Sequence, residues 1–133
     1  MISKEDLESY LLRMGVEYEE VDENMWLLKP QETTGVVVNF TPPVVLLRLK
    51  VMELPRGQNG TLAPFYRRLL ELNASDIVHG SYGIEENDVV LSDALELEDL
   101  DYSELRSSYE SMVLAATSHV PELSGLIPVA HEG

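Results

Sequence analysis

Residues 36–54 read Val-Val-Val-Asn-Phe-Thr-Pro-Pro-Val-Val-Leu-Leu-Arg-Leu-Lys-Val-Met-Glu-Leu, and this stretch decides the fold class. Val36–Phe40 is rich in β-branched residues, and Thr41-Pro42-Pro43 cannot continue a hydrogen-bonded ladder, so a strand closes there. Val44–Leu54 is the longest strand. Its odd positions Val45, Leu47, Leu49 and Val51 are apolar throughout, whereas its even positions begin with Val44 and Leu46 and continue with Arg48 and Lys50. A strand with one apolar side and one side that turns charged belongs to an antiparallel sheet with one face buried and the other at least partly wet.

Upstream lie two shorter strands, Val16–Val21 and Met25–Lys29, joined by the turn Asp22-Glu-Asn24. Before them a helix is predicted over 3–14. Ser3 caps it, Asp6 completes a weak capping box, and Ile2 and Leu7 hold the staple positions. Leu7, Tyr10, Leu11 and Met14 then share one face, and Gly15 suits the left-handed C-terminal position.

Downstream, Pro55–Gly60 is an exposed loop, and Thr61 can cap a helix over 62–73 with Asn73 at its end. Leu62, Phe65, Tyr66 and Leu69 form its stripe. Ala63, Leu70 and Leu72 widen the apolar arc to roughly 180°, more than the ~100° that one core contact requires. The surplus side, Ala63, Tyr66 and Leu70, is the expected homodimer interface, because a wet patch of that kind is unusual on a monomer. Ile77–Ile84 and Val89–Glu98 read as a hairpin in which Val78, Tyr82 and Ile84 share a face. Asp101 and Glu104 form a capping box, with Leu100 and Leu105 as staple, for a last helix ended by Pro121. The order is therefore helix, three or four strands, helix, two strands, helix. That is an α+β domain over 1–121 with its helices on one sheet face, followed by a flexible tail over 122–133.

Cysteine is absent, which removes disulfides, thiolate zinc sites, iron–sulfur clusters and a cysteine nucleophile. Net charge is −15, and it is uneven. Residues 1–28 carry 2 bases and 8 acids, 29–68 carry 6 bases and 2 acids, and 69–133 carry 1 base and 14 acids. Such a surface repels phosphate backbones and anionic lipid heads, so neither nucleic acid nor a membrane is an expected partner. The charged residues among 1–14 do not make a signal peptide, and the apolar run Val44–Leu47 is far short of a span, so a cytoplasmic protein is expected.

Catalytic motifs are weak. His79-Gly-Ser-Tyr-Gly83 approximates a nucleophile elbow but leads into a hairpin and not a helix, so Ser81 is not expected to be a nucleophile. Asp99, Asp101, Ser103, Ser107 and Glu110 have the spacing of a calcium loop, yet Glu104 stands where a glycine must turn the chain. His79, His119 and His131 have no metal-ligand spacing, and His119 reads as a helix C-terminal residue favoured by the dipole. Trp26, mid-strand between Met25 and Leu27, reads as core or interface packing. No catalytic, metal or cofactor residue is expected.

Four segments together resemble a known family: Val38-Asn-Phe-Thr-Pro-Pro-Val-Val-Leu-Leu-Arg48, Phe65-Tyr-Arg-Arg-Leu-Leu-Glu-Leu-Asn-Ala74, Gly80-Ser-Tyr-Gly-Ile84 and Val89–Leu97. With the element order, they resemble the type III secretion chaperone-like superfamily, and within it the YbjN-type family, named for sensory transduction regulation in bacteria. The likeness covers residues 3–120, and its most specific piece is Leu-Leu-x-Leu-Asn at 69–73. The resemblance implies a homodimer that binds protein segments without catalysing a reaction. A YbjN-type adaptor that binds a folded partner is the alternative, and an enzyme of unknown class stands third. For a bound segment, the expected surface is the wet side of the long strand, Val44, Leu46, Arg48 and Lys50, with strand addition at a free edge.

Overall fold

The computed structural model describes residues 1–55 and 61–128. Its elements are α1 (Lys4–Met14), β1 (Glu17–Asp22), β2 (Met25–Lys29), β3 (Val36–Thr41), β4 (Val44–Glu53), α2 (Ala63–Ser75), β5 (Ser81–Glu85), β6 (Asp88–Glu96) and α3 (Tyr102–Gly125). The six strands form one sheet in the order β1-β2-β3-β4-β6-β5, and every neighbouring pair is antiparallel. Four strands, the larger of the two expected counts, separate α1 from α2.

Pairing register lays the apolar side chains in rows across the sheet. One row runs Leu28, Val36, Leu49, Leu91, Tyr82 through five strands, and the next runs Trp26, Val38, Leu47. All of these are buried. Because side chains alternate along a strand, a slip of one residue would expel the whole set into water. Leu7 and Leu11 of α1, Phe65 and Leu72 of α2, and Leu105, Met112 and Ala116 of α3 close over the rows in one continuous core. Fully burying a leucine contributes about 2 kcal/mol, so this layer dominates the stability. Leu46, Arg48 and Lys50 project from the opposite face, which has no helix on it among the described residues.

Both capping boxes form. Ser3 Oγ accepts from the Asp6 amide while Asp6 accepts from the Ser3 amide, and Asp101 and Glu104 do the same at the start of α3. The Ser3 bonds, backbone first, hold the Asp6 carboxyl below its usual pKa. Gly15 ends α1 at φ 72°, in the left-handed region.

Four local expectations are corrected. The cap of α2 is Leu62, with no side-chain hydrogen bond to the helix, and Asn73 lies inside the helix, which ends at an Asp76 cap. Asn73 is drawn instead to the sheet edge, as described below. Residues 77–80 are not strand: the Ile77 amide continues the turn of α2 by donating to Leu72 O, and the chain then swings through φ 87° at Gly80. Val78 is consequently 81% exposed and shares no face with Tyr82. Pro121 does not end α3, which runs on to Gly125. Proline removes a donor from the Thr117 carbonyl, but Thr117 lies on the exposed side, where water can replace that donor. Burial of Leu123, with Leu126 and Ile127 packed on the core, favours the extra turn. The segment 122–128 is therefore not a loose tail, while 129–133 lie outside the described residues.

Candidate functional site

The open sheet face is built by the same alternation that builds the core. Along β4, Val45, Leu47 and Leu49 point inward, so Leu46, Arg48 and Lys50 point out. Their neighbours on this face are Asn39 and Ala94 beside Leu46, and Val37 and Ser92 beside Arg48. Leu46 is 38% exposed and Val44, opposite Glu96 near the Pro42-Pro43 hairpin, is half-buried. The loop before β3 does not cover Leu46; its Thr34 hydroxyl donates to the Lys50 carbonyl, toward the other end of the strand.

Leu46 and Arg48 line a shallow pocket of about 540 Å³ together with Gly80, Ser81, Ser92 and Ala94. Two features of the chain create it. First, β5 begins only at Ser81, which pairs with Ser92, so among the described residues strand β6 has a strand neighbour from Asp93 to Glu96 on the β4 side only. Second, Gly80 passes very close to β6: a Cβ there would sit 2.5 Å from the Ser92 carbonyl oxygen. A glycine is thus required both by the positive φ and by the approach.

The two cations are engaged. Arg48 of β4 pairs with Glu85 of β5 across the intervening β6, and Lys50 pairs with Asp88 at 3.3 Å and Glu53 at 3.6 Å. The hydrogen bond to Asp88, then the charges of Asp88 and Glu53, push the Lys50 ammonium pKa above its ordinary value. These pairs are exposed, so they orient the side chains without adding much stability.

On α2, Leu70 is 69% exposed and Ala63, about two turns earlier, is exposed as well, while Tyr66 is half-buried with its ring edge-on to Phe65. The three residues therefore do lie together on one helix, but Tyr66 also serves the core. The helix is tied to its neighbours by polar contacts that sequence reading missed. Asn73 Oδ1 accepts from the Tyr82 amide at 2.7 Å and its Nδ2 donates to the Tyr82 carbonyl at 3.2 Å, so one side chain satisfies the outer edge of β5. Arg68 holds Glu122 of α3 through Nε at 2.7 Å and Nη2 at 3.3 Å.

Between them, His119 bridges Tyr82 and Asp76, with Nδ1 2.7 Å from the Tyr82 hydroxyl and Nε2 3.3 Å from Asp76 Oδ2. A carboxylate only accepts, so Nε2 carries the proton and the tyrosine donates to Nδ1. Burial first, then the Asp76 charge, push the Tyr82 hydroxyl up to about 12. His119 is thus a buried packing and hydrogen-bonding residue, six positions before the end of α3, and its expected role at a helix terminus is corrected. No local signal could have shown this, because the three partners are separated by 37 and 43 positions in the chain.

Among the described residues no helix is long and apolar enough to cross a membrane. The family model CesT_Tir_1 matches residues 2–127. The chain belongs to that family, the type III secretion chaperone family. Solved structures agree on the fold. A chain of the heterodimeric ExoU–SpcU complex from the type III secretion system of Pseudomonas aeruginosa superposes with a TM-score of 0.67 at 16% identity, covering 85% of this chain and 93% of that one. YbjN of E. coli gives a TM-score of 0.64 at 14% identity, with 91% and 93% covered. A chain of the HopA1–SchA chaperone–effector complex gives 0.60 at 15%, with 89% and 92% covered. A search of curated proteins finds no match. The CesT_Tir_1 and YbjN likenesses accord with the resemblance read from the sequence, and the α+β architecture is that of the type III secretion chaperones.

Proposed function

We propose that this CesT_Tir_1 chain is a non-enzymatic, cytoplasmic protein-binding module, that it works as a homodimer, and that it holds an extended segment of a partner protein against its open sheet face. The observation that carries the reading is the pocket at Leu46 and Arg48, set beside the stretch of β6 that β5 leaves without a strand neighbour. A segment laid there adds backbone hydrogen bonds at the outer side of β6 and reaches Leu46 over Ala94, the small residue between them. Arg48 and Lys50 could exchange their own carboxylates for acidic groups on the segment. The chaperone–effector complex among the structural neighbours supports a protein partner.

The test is a double reversal, Arg48→Glu with Lys50→Glu. The melting temperature should change little because both cations are exposed. Partner capture from an extract of the native host, read by mass spectrometry against the unmodified chain, should be lost. Unchanged capture overturns the surface assignment. For the dimer, Leu70→Glu should convert a ~30 kDa particle into one of ~15 kDa by light scattering, because an unpaired carboxylate is costly to bury. A wild-type chain of ~15 kDa at micromolar concentration overturns the dimer.

A further inference from the structure

The helix side of the molecule carries a second concavity, at the opposite end of the sheet from the first. It is an open cleft of about 600 Å³ between the C-terminal turn of α1, the start of β1, the 30–32 loop and the middle of α3. Its apolar wall is Met14, Val16, Pro30, Val113 and Leu114, and Leu114 is 67% exposed on the outside of α3. Its rim carries Glu17, Glu32 and Glu110. Among the described residues the one cation in the lining, Lys29, is already held by Glu19 at 3.2 Å. Glu110 has Arg106 at 2.8 Å, whereas Glu17 and Glu32 take part in no ion pair among the described residues.

One further group points to a ligand. Tyr109 lines the cleft and is only 8% exposed, yet among the described residues its hydroxyl has no hydrogen-bond partner. In the wall of the cleft this hydroxyl is free of protein partners among the described residues and can donate to a bound group in place of water. Burial, then the charges of Glu32 and Glu110, raise this hydroxyl to about 12, so it stays protonated at neutral pH and keeps a proton to donate.

We propose that this cleft docks a partner-protein segment that presents a lysine or arginine beside apolar side chains. The apolar residues lie on Val113, Leu114 and Met14. The cation sits among Glu17, Glu32 and Glu110, and a backbone carbonyl of the segment accepts from Tyr109. This rests on the protein-binding reading above but uses a different surface, with the opposite charge preference from the Arg48 and Lys50 strip.

The probe is a fluorescein-labelled 12-residue peptide of leucine, serine and lysine, compared with the same peptide carrying glutamate for lysine. Binding is followed by anisotropy and by amide NMR shifts of the protein. The lysine peptide should bind, move the Val113 and Leu114 resonances, and weaken as NaCl rises. Glu17→Gln with Glu32→Gln should weaken it about tenfold, since each removes a near contact. Glu86→Gln with Glu96→Gln, which removes as much negative charge but far from the cleft, should weaken it less than about twofold. Tyr109→Phe tests the hydroxyl separately and should weaken the lysine peptide while leaving the fold intact. Equal weakening by the two charge pairs, equal binding of the glutamate peptide, or shifts confined to α2 or the open sheet face overturn the proposal. The Arg48 and Lys50 reversal should leave the lysine peptide's affinity undiminished, so failure here and failure of the sheet-face reading are distinguishable.

Discussion

The two ends of the sheet hold their helices by different means. Around α1 and α3, Leu7, Leu11, Leu105 and Met112 share a mainly apolar core with Trp26, Leu28, Val36 and Val38, and the polar ties from helix to strand there are Ser108 on Asp93 and Lys4 on Glu20. At the β5 end, α2 buries Leu62, Phe65, Leu69 and Leu72, but its position is also set by Asn73 on Tyr82, Arg68 on Glu122 and Asp76 on His119. Apolar burial is strong and undirected, so it says that a helix packs and on which face. Directed polar ties say where along the neighbour it packs. The α2 end is therefore the place where small chemical changes should shift geometry without unfolding the domain, and it is the helix that bears Ala63 and Leu70.

Substitutions at the two ends should break this contrast in graded fashion. The largest effect is expected at the apolar end. Leu11→Ala, at a side chain with 0% exposure, should destabilise by about 3 kcal/mol in a denaturant titration. A loss below about 1 kcal/mol would show that α1 is not part of the cooperative core. At the polar end, Asn73→Ala leaves the Tyr82 amide and carbonyl unpaired at the edge of β5 and should cost about 2 kcal/mol. Hydrogen exchange should localise the loss, with the Tyr82 amide becoming far less protected while amides of β3 and β4 stay protected. Uniform loss across the sheet would erase the distinction between the ends.

Tyr82→Phe is milder, about 1 kcal/mol, since it removes the donor to His119 Nδ1 but keeps the ring. It also alters the alkaline limb of the stability profile. The folded-state pKa of Tyr82, about 12, lies above the ordinary 10.0, so its contribution is complete below pH 10 and is lost as pH rises toward 12. The Tyr109 hydroxyl has the same direction and range. Wild-type stability should thus fall between pH 10 and 12, and Tyr82→Phe should flatten that fall. An identical slope in the variant would show that Tyr82 does not titrate with unfolding. The smallest effect is expected from Arg68→Met. Glu122 and Glu71 raise the Arg68 pKa, yet the pair is solvent-exposed, so the change in midpoint should shrink further in 0.5 M NaCl. A loss that persists at high salt would make this contact a structural tie on a par with Asn73.

Much of the fold was legible because its signals are local. Ser3 with Asp6, and Asp101 with Glu104, are capping boxes three residues apart, and the structure forms both. The alternation from Val44 to Lys50 marked which side of β4 is buried, and Trp26 is in the core at 1% exposure. Leu46 and Arg48 were legible as a wet pair for the same reason, although the glutamates and aspartate that engage Arg48 and Lys50 were not. The cleft around Tyr109 was not legible at all. It joins residues 14–17, 29–32 and 109–117, segments that no local spacing connects.

Residues near one another in the chain thus determined the helices, the strands, the apolar faces and the acidity, because those depend on spacings of two to four positions. Tertiary structure alone decided the rest. Asn73 left its role as a cap for the edge of β5, since an unpaired strand edge is a stronger claim on an amide than a helix end open to water. Pro121 failed to stop α3 because Leu123, Leu126 and Ile127 had core to reach. His119 found Tyr82 and Asp76 only when β5, α2 and α3 met, because hydrogen bonds select partners by distance in space and leave no trace in sequence spacing.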